Sequence, residues 1–293
     1  MNELRDLAFA VAYRMLGSVA EAEDVAQEAL LRFHGATGVE NPAAFVTTAT
    51  TRLAIDVLRS ARVRREAYTG SWLPEPLVEE HAATRVEDDE AVSLAFLVLL
   101  ERLNPDERAV LVLRESFDYP FAEIAEILDT SEANTRQILS RARRRIADER
   151  PRFDPDPQER NALAARFLAA AREGDMDGLV ALLAPDAVMV GDGGGKARAI
   201  SAPMHGAAQI ARALTAFVRI ADEWGLTLEP AIVNGQPGFC GLAPDGRLVN
   251  VASIDVAGGA VQRLLSIVNP DKLAHLGPTS ELALRPVRPA PPR

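Results

Sequence analysis

The sequence predicts a multidomain protein: two all-α domains, the second with a helix-turn-helix, followed by an α+β domain with a curved, mostly antiparallel sheet. Three observations predict it. Apolar residues recur at helical spacing through the first 150 positions, with helix caps between the runs. Proline-bearing breaks at 72–76 and 151–157 divide the chain. Beyond residue 187 the period changes to alternating runs joined by Gly-containing turns. A length of 293 residues also exceeds what one compact unit needs.

The elements follow in order. Leu4, Leu7, Ala8, Val11 and Met15 form the apolar stripe of a first helix, which Gly17 stops. Ser18 and Glu21 make a capping-box pair for a second helix to about His34. After a Gly/Thr loop at 35–40, Asn41 and Pro42 supply the N-cap and first position of a third helix over about 43–65. Phe45, Ala49, Leu53 and Val57 share one of its faces. Trp72-Leu73-Pro74-Glu75-Pro76 excludes continuous helix, and helix resumes near Asp89. Asn104-Pro105-Asp106-Glu107 is a helix start with acids in the first turn. Two short helices at 121–128 and about 132–147 flank Asp129-Thr130-Ser131. Past the second break come a helix at 159–172, a strand at Ala187–Val190 and a helix at 207–223. Strands Phe239–Ala243, Leu248–Val256 and Val261–Val268 are joined by hairpin turns at Pro244-Asp245-Gly246 and Ala257-Gly258-Gly259. Gly277–Arg293 carries five prolines and is expected to fray. The expected boundaries are 1–67, an acidic linker at 68–88, 89–150, a linker at 151–157, 158–276 and a Pro-rich tail at 277–293.

Composition is that of an ordinary globular protein, 48% hydrophobic and 25% charged. A single cysteine, Cys240, excludes an internal disulfide and a Cys/His zinc pattern, and the four histidines are scattered. No metal, cofactor or catalytic residue is assigned. The N-terminus lacks a signal-peptide pattern and no apolar run approaches the ~20 residues of a membrane span, so no membrane partner and a cytoplasmic location are expected. The net charge of −10 argues against nucleic acid until its distribution is read. Residues 68–90 carry seven acidic groups and one basic group, more than half of the excess. Basic groups gather instead at Arg59, Arg62, Arg64 and Arg65, and at Arg141, Arg143, Arg144 and Arg145, a pattern compatible with two phosphate contacts.

The helices at 121–147 have helix-turn-helix dimensions. Ile124, Ala125, Ile127 and Leu128 would pack against Ile138 and Leu139. The second helix would then expose Glu132, Asn134, Thr135, Arg136 and Gln137 near its start, with Ser140, Arg141 and Arg144 further along. Polar forks for base edges and arginines for phosphates are what a recognition helix carries. A surface helix with a solvated basic face is the plainer alternative.

The segment Ala22-Glu23-Asp24-Val25-Ala26-Gln27-Glu28-Ala29-Leu30-Leu31-Arg32 resembles the polymerase-binding helix of sigma-70 family proteins of the extracytoplasmic-function class. Asn41–Arg65 resembles the part that recognises and melts the −10 element, and 91–147 resembles the domain that reads the −35 element. The resemblance covers about half the chain, in the family's order, and implies core RNA polymerase and promoter DNA as partners. On it, Asp24, Gln27, Glu28 and Leu31 would face polymerase. Arg52, Asp56, Arg59 and Arg62, beside Thr47, Thr50 and Thr51, would face −10 DNA. The acidic stretch between the domains is either a polyanion mimic in the polymerase channel or a solvated tether.

The C-terminal pattern resembles the SnoaL-like group, whose fold is cone-shaped. Trp72-Leu73-Pro74-Glu75-Pro76, Asp192-Gly193-Gly194-Gly195-Lys196 and Asn269-Pro270-Asp271-Lys272-Leu273 are similar to segments of one subgroup of these sigma factors, in which the C-terminal domain regulates activity in cis. That implies a regulatory role for these residues here. Lys196 and Lys272 are the only lysines among 32 basic residues, and both lie in these motifs. A compact ammonium on a flexible stem suits an internal ion pair or a ligand; coincidence is the alternative. The glycine run lacks the spacing and the following Ser/Thr of a nucleotide-binding loop. Asp192, His205, Asp222 and Asp255 are the acid–base candidates should the domain be an enzyme, but no spacing pairs them. A small-molecule ligand in this domain remains a candidate partner. Beside the sigma-factor reading stands a conventional DNA-binding regulator with a ligand-sensing domain.

Overall fold

The computed structural model describes residues 2–66, 68–79, 92–147 and 156–284, with the side chains of 61–66 outside the description. Close contacts group the chain into two units, Met1–Ala67 with Phe96–Arg150 and Tyr68–Ala95 with Pro151–Arg293. Residues 68–79, the described part of the expected acidic linker, therefore belong with the C-terminal unit and are no free tether.

The helical unit is built from α1 (Asn2–Leu16), α2 (Val19–Gly35), α3 (Pro42–Glu66), α4 (Leu94–Leu100, which enters it at Phe96), α5 (Pro105–Ser116), α6 (Phe121–Ile127) and α7 (Glu132–Ile146). Local chemistry sets most ends. Gly17 adopts φ +67° and closes α1. Ser18 Oγ accepts from the Glu21 N–H at 3.3 Å, and Asn41 Oδ1 accepts from the Ala44 N–H at 3.1 Å. Asn104 and Glu107 form a reciprocal capping box at the start of α5. Small residues Ala8, Ala26 and Val46 let α1, α2 and α3 approach closely. Ala109–Leu113 of α5 are buried, and α5 packs on both α1 and α3.

The second unit carries a seven-stranded mixed sheet in the order β1-β4-β5-β6-β7-β2-β3. Its strands are β1 (Val78–Glu79), β2 (Leu183–Asp192), β3 (Met204–His205), β4 (Thr227–Val233), β5 (Gln236–Leu242), β6 (Leu248–Ala257) and β7 (Ala260–Ile267). All pairings are antiparallel except β2 with β7. Helices α8 (Pro157–Glu173), α9 (Met176–Leu182) and α10 (Ala207–Glu223) cover the sheet through Phe167, Leu179 and Leu214, which share a core with Met189, Ile254 and Leu264. A short α11 (Pro270–Leu273), capped by the Asn269 side chain, follows β7.

The structure departs from expectation in three places. Pro157 opens α8 and is not linker, because a proline at the first helical position loses no hydrogen bond. Helix α9, strand β4 and the two-residue strands β1 and β3 had no sequence counterpart. Residues 277–284 do not fray: the Ser280 N–H donates to the Leu248 carbonyl at 2.7 Å, and Ala283 is buried beside Ala197, Ala243 and Val249. Four of the five tail prolines fall beyond 284, outside the described residues.

Candidate functional site

In the helix-turn-helix, Ile124, Ala125 and Ile127 of α6 are buried with Ile138, Leu139, Ala142 and Ile146 of α7. Asp129 takes the left-handed conformation in the turn, and Ser131 caps α7 by accepting from the Asn134 N–H at 3.2 Å. Glu132, Asn134, Arg136, Gln137, Ser140, Arg141 and Arg144 are exposed, as the sequence implies. Thr135 is not: it is fully buried, and its hydroxyl donates back to the Ser131 carbonyl at 3.1 Å. The arginine cluster divides by task. Arg143 pairs with Glu115 and Arg145 with Glu107, each at 2.8 Å. Among the described residues Arg141 and Arg144 have no ion-pair partner, which leaves them available to phosphates. Arg136 lies 4.9 Å from the Phe121 ring centre and pairs with Glu132 at 2.6 Å, which fixes its stem.

The α2 stripe is exposed as expected: Asp24 and Gln27 face solvent, Glu28 is half-buried and pairs with Arg32 at 2.8 Å, and Leu31 is 60% exposed. An exposed leucine in an acidic stripe suits a partner surface with an apolar hole and a basic rim.

The α3 surface differs from expectation. Thr47, Thr50 and Thr51 are fully buried, not available to DNA, because α1, α2, α5 and α6 all pack against α3. Tyr119 donates its hydroxyl to Thr47 Oγ1 at 2.8 Å. Arg52 donates to the carbonyls of Ile127 (2.9 Å) and Glu126 (3.2 Å), placing its charge at the negative end of α6. Arg59 approaches Asp56 at 3.6 Å and Asp106 at 3.4 Å. The Arg62 side chain lies outside the described residues. Three of the four −10 candidates, Arg52, Asp56 and Arg59, thus have partners inside the helical unit.

The three short motifs meet in the second unit. Asp192 ends β2 and is fully buried. Its Oδ1 accepts from the Tyr68 hydroxyl (2.6 Å) and the Gly194 N–H (3.0 Å). Its Oδ2 accepts from the Leu73 N–H (2.8 Å) and from Lys272 Nζ (2.7 Å). Lys272 also donates to the Leu73 carbonyl and lies 4.1 Å from the Trp72 ring centre and 4.9 Å from that of Tyr68. The buried charge is therefore compensated on every side, as burial requires. Asn269 donates to the Tyr68 oxygen at 2.8 Å, and His275 Nε2 lies 2.8 Å from the Pro76 carbonyl. Leu73, Pro74, Pro76 and Leu273 are buried, whereas Glu75 and Pro270 are half-buried.

The glycines have specific tasks. Gly194 has φ +58°, and a Cβ there would lie 2.3 Å from Asn269 Nδ2, while one on Gly193 would lie 2.5 Å from the Ala197 carbonyl. The two lysines differ. Lys272 is the buried partner, whereas Lys196 pairs with Asp271 at 2.5 Å with both side chains more than half exposed. Lys196 and Gly195 therefore sit at the edge of the dock, and an exposed pair contributes little.

Three further dock residues escaped the sequence. Tyr68 lies 124 positions from Asp192, with no local signal. Asn234 takes a left-handed turn; its side chain accepts from the Leu77 N–H (2.9 Å) and donates to the Val92 carbonyl (3.1 Å). The Asn234-Gly235 pair was a legible hairpin turn. His275 is the third. Burial first, then the hydrogen bond to Asp192, pushes the Tyr68 phenol well above its ordinary range. In an alkaline absorbance titration, Tyr68→Phe should delete a step that lies above the ordinary phenol range. A phenol raised in the folded state stabilises the dock below about pH 10 and loses that contribution as pH climbs through its folded value.

The acid–base candidates do not converge. Asp192 is in the dock, Asp255 lies opposite Arg263 in the β6–β7 ladder, and His205 and Asp222 are exposed on β3 and α10. Among the described residues no His/Cys/Asp/Glu group could hold a metal ion, and no helix is long and apolar enough to cross a membrane.

Two helical modules, one of them a helix-turn-helix, fused to an α+β domain that clasps an intervening segment, define a nucleic-acid-binding class with an appended domain. Comparison with known families matches residues 1–64 to sigma-70 region 2, 93–146 to sigma-70 region 4 and 164–264 to the SnoaL-like domain. The chain is 40% identical over 291 residues to the ECF RNA polymerase sigma factor SigJ of Mycobacterium tuberculosis, covering 92% of this chain and 90% of that one. It is 34% identical over 187 residues to the probable ECF sigma factor SigI of the same species, covering 60% and 62%. The crystal structure of M. tuberculosis SigJ matches with a TM-score of 0.78 at 38% identity, over 95% of this chain and 98% of that one. The chain belongs to the extracytoplasmic-function RNA polymerase sigma factors, in a form with a C-terminal SnoaL-like domain.

Proposed function

We propose that the protein is an alternative sigma factor of the cytoplasm whose activity is controlled in cis by its SnoaL-like domain. Asp24, Gln27, Glu28 and Leu31 dock on core RNA polymerase. Arg52, Asp56, Arg59 and Arg62 serve the −10 element once α3 is uncovered. Glu132, Asn134, Arg136 and Gln137 read −35 bases, with Arg141 and Arg144 on phosphates. Thr135 is reassigned to holding the helix start.

One observation carries the cis-control reading: Asp192 and Lys272 hold Leu73 by its N–H and its carbonyl, fastening the segment that joins the two sigma modules to the third domain. Run-off transcription with purified core polymerase tests the whole. Defined transcripts that require the protein are expected, and a chain ending at Arg150 should give an altered yield. Polymerase-independent binding to a duplex site, without transcripts, would favour the ligand-sensing regulator instead.

The phosphate assignment has its own check. Arg141→Ala and Arg144→Ala should each weaken promoter binding by the holoenzyme similarly across sequences and lower the salt slope by roughly 0.9. Arg143→Ala, already paired to Glu115, should change it less.

A further inference from the structure

The C-terminal unit contains a cavity of about 380 Å³ between its helices and the inner face of the sheet. Phe167, Leu214, Phe239 and Trp224 form its apolar wall, and Phe217, 41% exposed, stands at its mouth. Both hydrophobic clusters of the unit contribute to its lining, one through Phe167 and Met189 and the other through Val249 and Ala283. Apolar walls around a few polar groups are the form that small-molecule sites take. The cavity floor carries one polar spot. Asn250 on β6 and Ser266 on β7 face the cavity, and among the described residues neither side chain has a hydrogen-bond partner. The charged lining groups, Arg198 and Glu223, are exposed.

The cavity also adjoins the linker dock. Gly191 lines it, and the next residue is Asp192; Val268 lines it, and the next residue is Asn269. The Asp192 carbonyl accepts from the N–H groups of Val268 (2.8 Å) and Asn269 (3.0 Å). The chain leaving Gly193–Lys196 returns along the cavity through Arg198, Ala199 and Ile200, and a Cβ on Gly191 would lie 2.9 Å from Ile200. The ends of β2 and β7 are thus shared between the cavity wall and the carboxylate that holds Leu73.

We propose that the cavity binds a neutral, mostly apolar molecule of one or two rings carrying a hydroxyl or carbonyl for Asn250 and Ser266, and that its occupancy is transmitted to the linker dock through the ends of β2 and β7. At the ~30 Å³ a water molecule takes in the liquid, the volume suits roughly a dozen non-hydrogen atoms. The transmission half rests on the cis-control reading; the binding half does not.

The test uses the full-length protein with 2-naphthol, a two-ring hydroxyl compound whose neutral-form emission gains at the expense of the naphtholate band when it leaves water. A saturable, one-to-one enhancement of the neutral-form emission is expected. Ser266→Phe and Ala252→Leu, filling the floor from different strands, should each weaken it at least tenfold. No saturable enhancement, or binding that survives a folded filling variant unchanged, overturns the site. Hydrogen exchange at the Leu73 amide should change several-fold when 2-naphthol saturates the protein; unchanged exchange with the site occupied overturns the transmission. The run-off comparison with the chain ending at Arg150 judges cis control separately.

Discussion

Replacing Asp192 with Asn should release Leu73 from the C-terminal unit and destabilise the dock by about 3–5 kcal/mol. Each carboxylate oxygen accepts two donors, Tyr68 and Gly194 on one, Leu73 and Lys272 on the other. An amide cannot serve both pairs: whichever way it is flipped, an NH₂ meets two donors, and Lys272 loses its counter-charge in a buried site. The Leu73 amide should exchange roughly a hundred- to thousand-fold faster, and run-off transcription should shift in the same direction as for the chain ending at Arg150. The Asp192→Asn/Lys272→Met double variant should recover part of the loss, because it removes the unpaired ammonium. Lys196→Ala should change stability by less than about 1 kcal/mol, since its pair with Asp271 is exposed. Exchange at Leu73 unaltered by Asp192→Asn would remove the basis for cis control through this contact.

Arg108→Met should lower the stability of the helical unit by about 2–4 kcal/mol and its unfolding midpoint by roughly 10 °C. Arg108 is 3% exposed, pairs with Glu101 at 2.8 Å and donates to the Met15 carbonyl at 2.8 Å. That carbonyl is in the last turn of α1, where acceptors lack intrahelical donors, so one guanidinium both caps α1 and joins it to α5. The consequence reaches promoter recognition. Elements centred about 25 base pairs apart are separated by roughly 85 Å at about 3.4 Å per pair. Yet Arg52 of α3 touches the end of α6 at 2.9 Å. On the proposed assignments, both elements are engaged only after α3 and α6 part. Spin labels on α2 and α7 should show a larger separated population in Arg108→Met than in the parent protein. Identical distance distributions would mean that Arg108 does not restrain opening.

What could be foreseen depended on whether the determining chemistry was local. Asn104 and Glu107 are three residues apart, and Pro244-Asp245-Gly246 is a turn by itself, so both were legible. Strand β4 was hidden by Pro230, which supplies no N–H to a ladder and reads as an interruption; it survives because β4 has only the two-residue β1 beyond it. The faces of α3 were only partly legible: the expected stripe of Phe45, Ala49, Leu53 and Val57 is half-buried, and the buried face runs through Val46, Thr47, Thr50, Thr51, Ala54 and Leu58. The period of a helix says which residues lie together and nothing of whether another helix or solvent meets them, so three threonines that looked ready for DNA are buried. The dock was half legible: the motifs stood out one at a time, and the fold alone joins residues up to 201 positions apart.

The parallel pairing of β2 with β7 sets Asp192 beside Ile267, so the chain leaves both strands at the same end, where Leu73 is held. That geometry carries a delay. Lys272 follows Leu73 by 199 residues, and at about 5–20 residues per second a ribosome needs roughly 10–40 s to make the interval. Both sigma modules are complete by Arg150, long before the last strand is made. Every molecule therefore passes through a period in which its helical half exists while its clasp does not, and on the proposed reading only a finished chain is a regulated one.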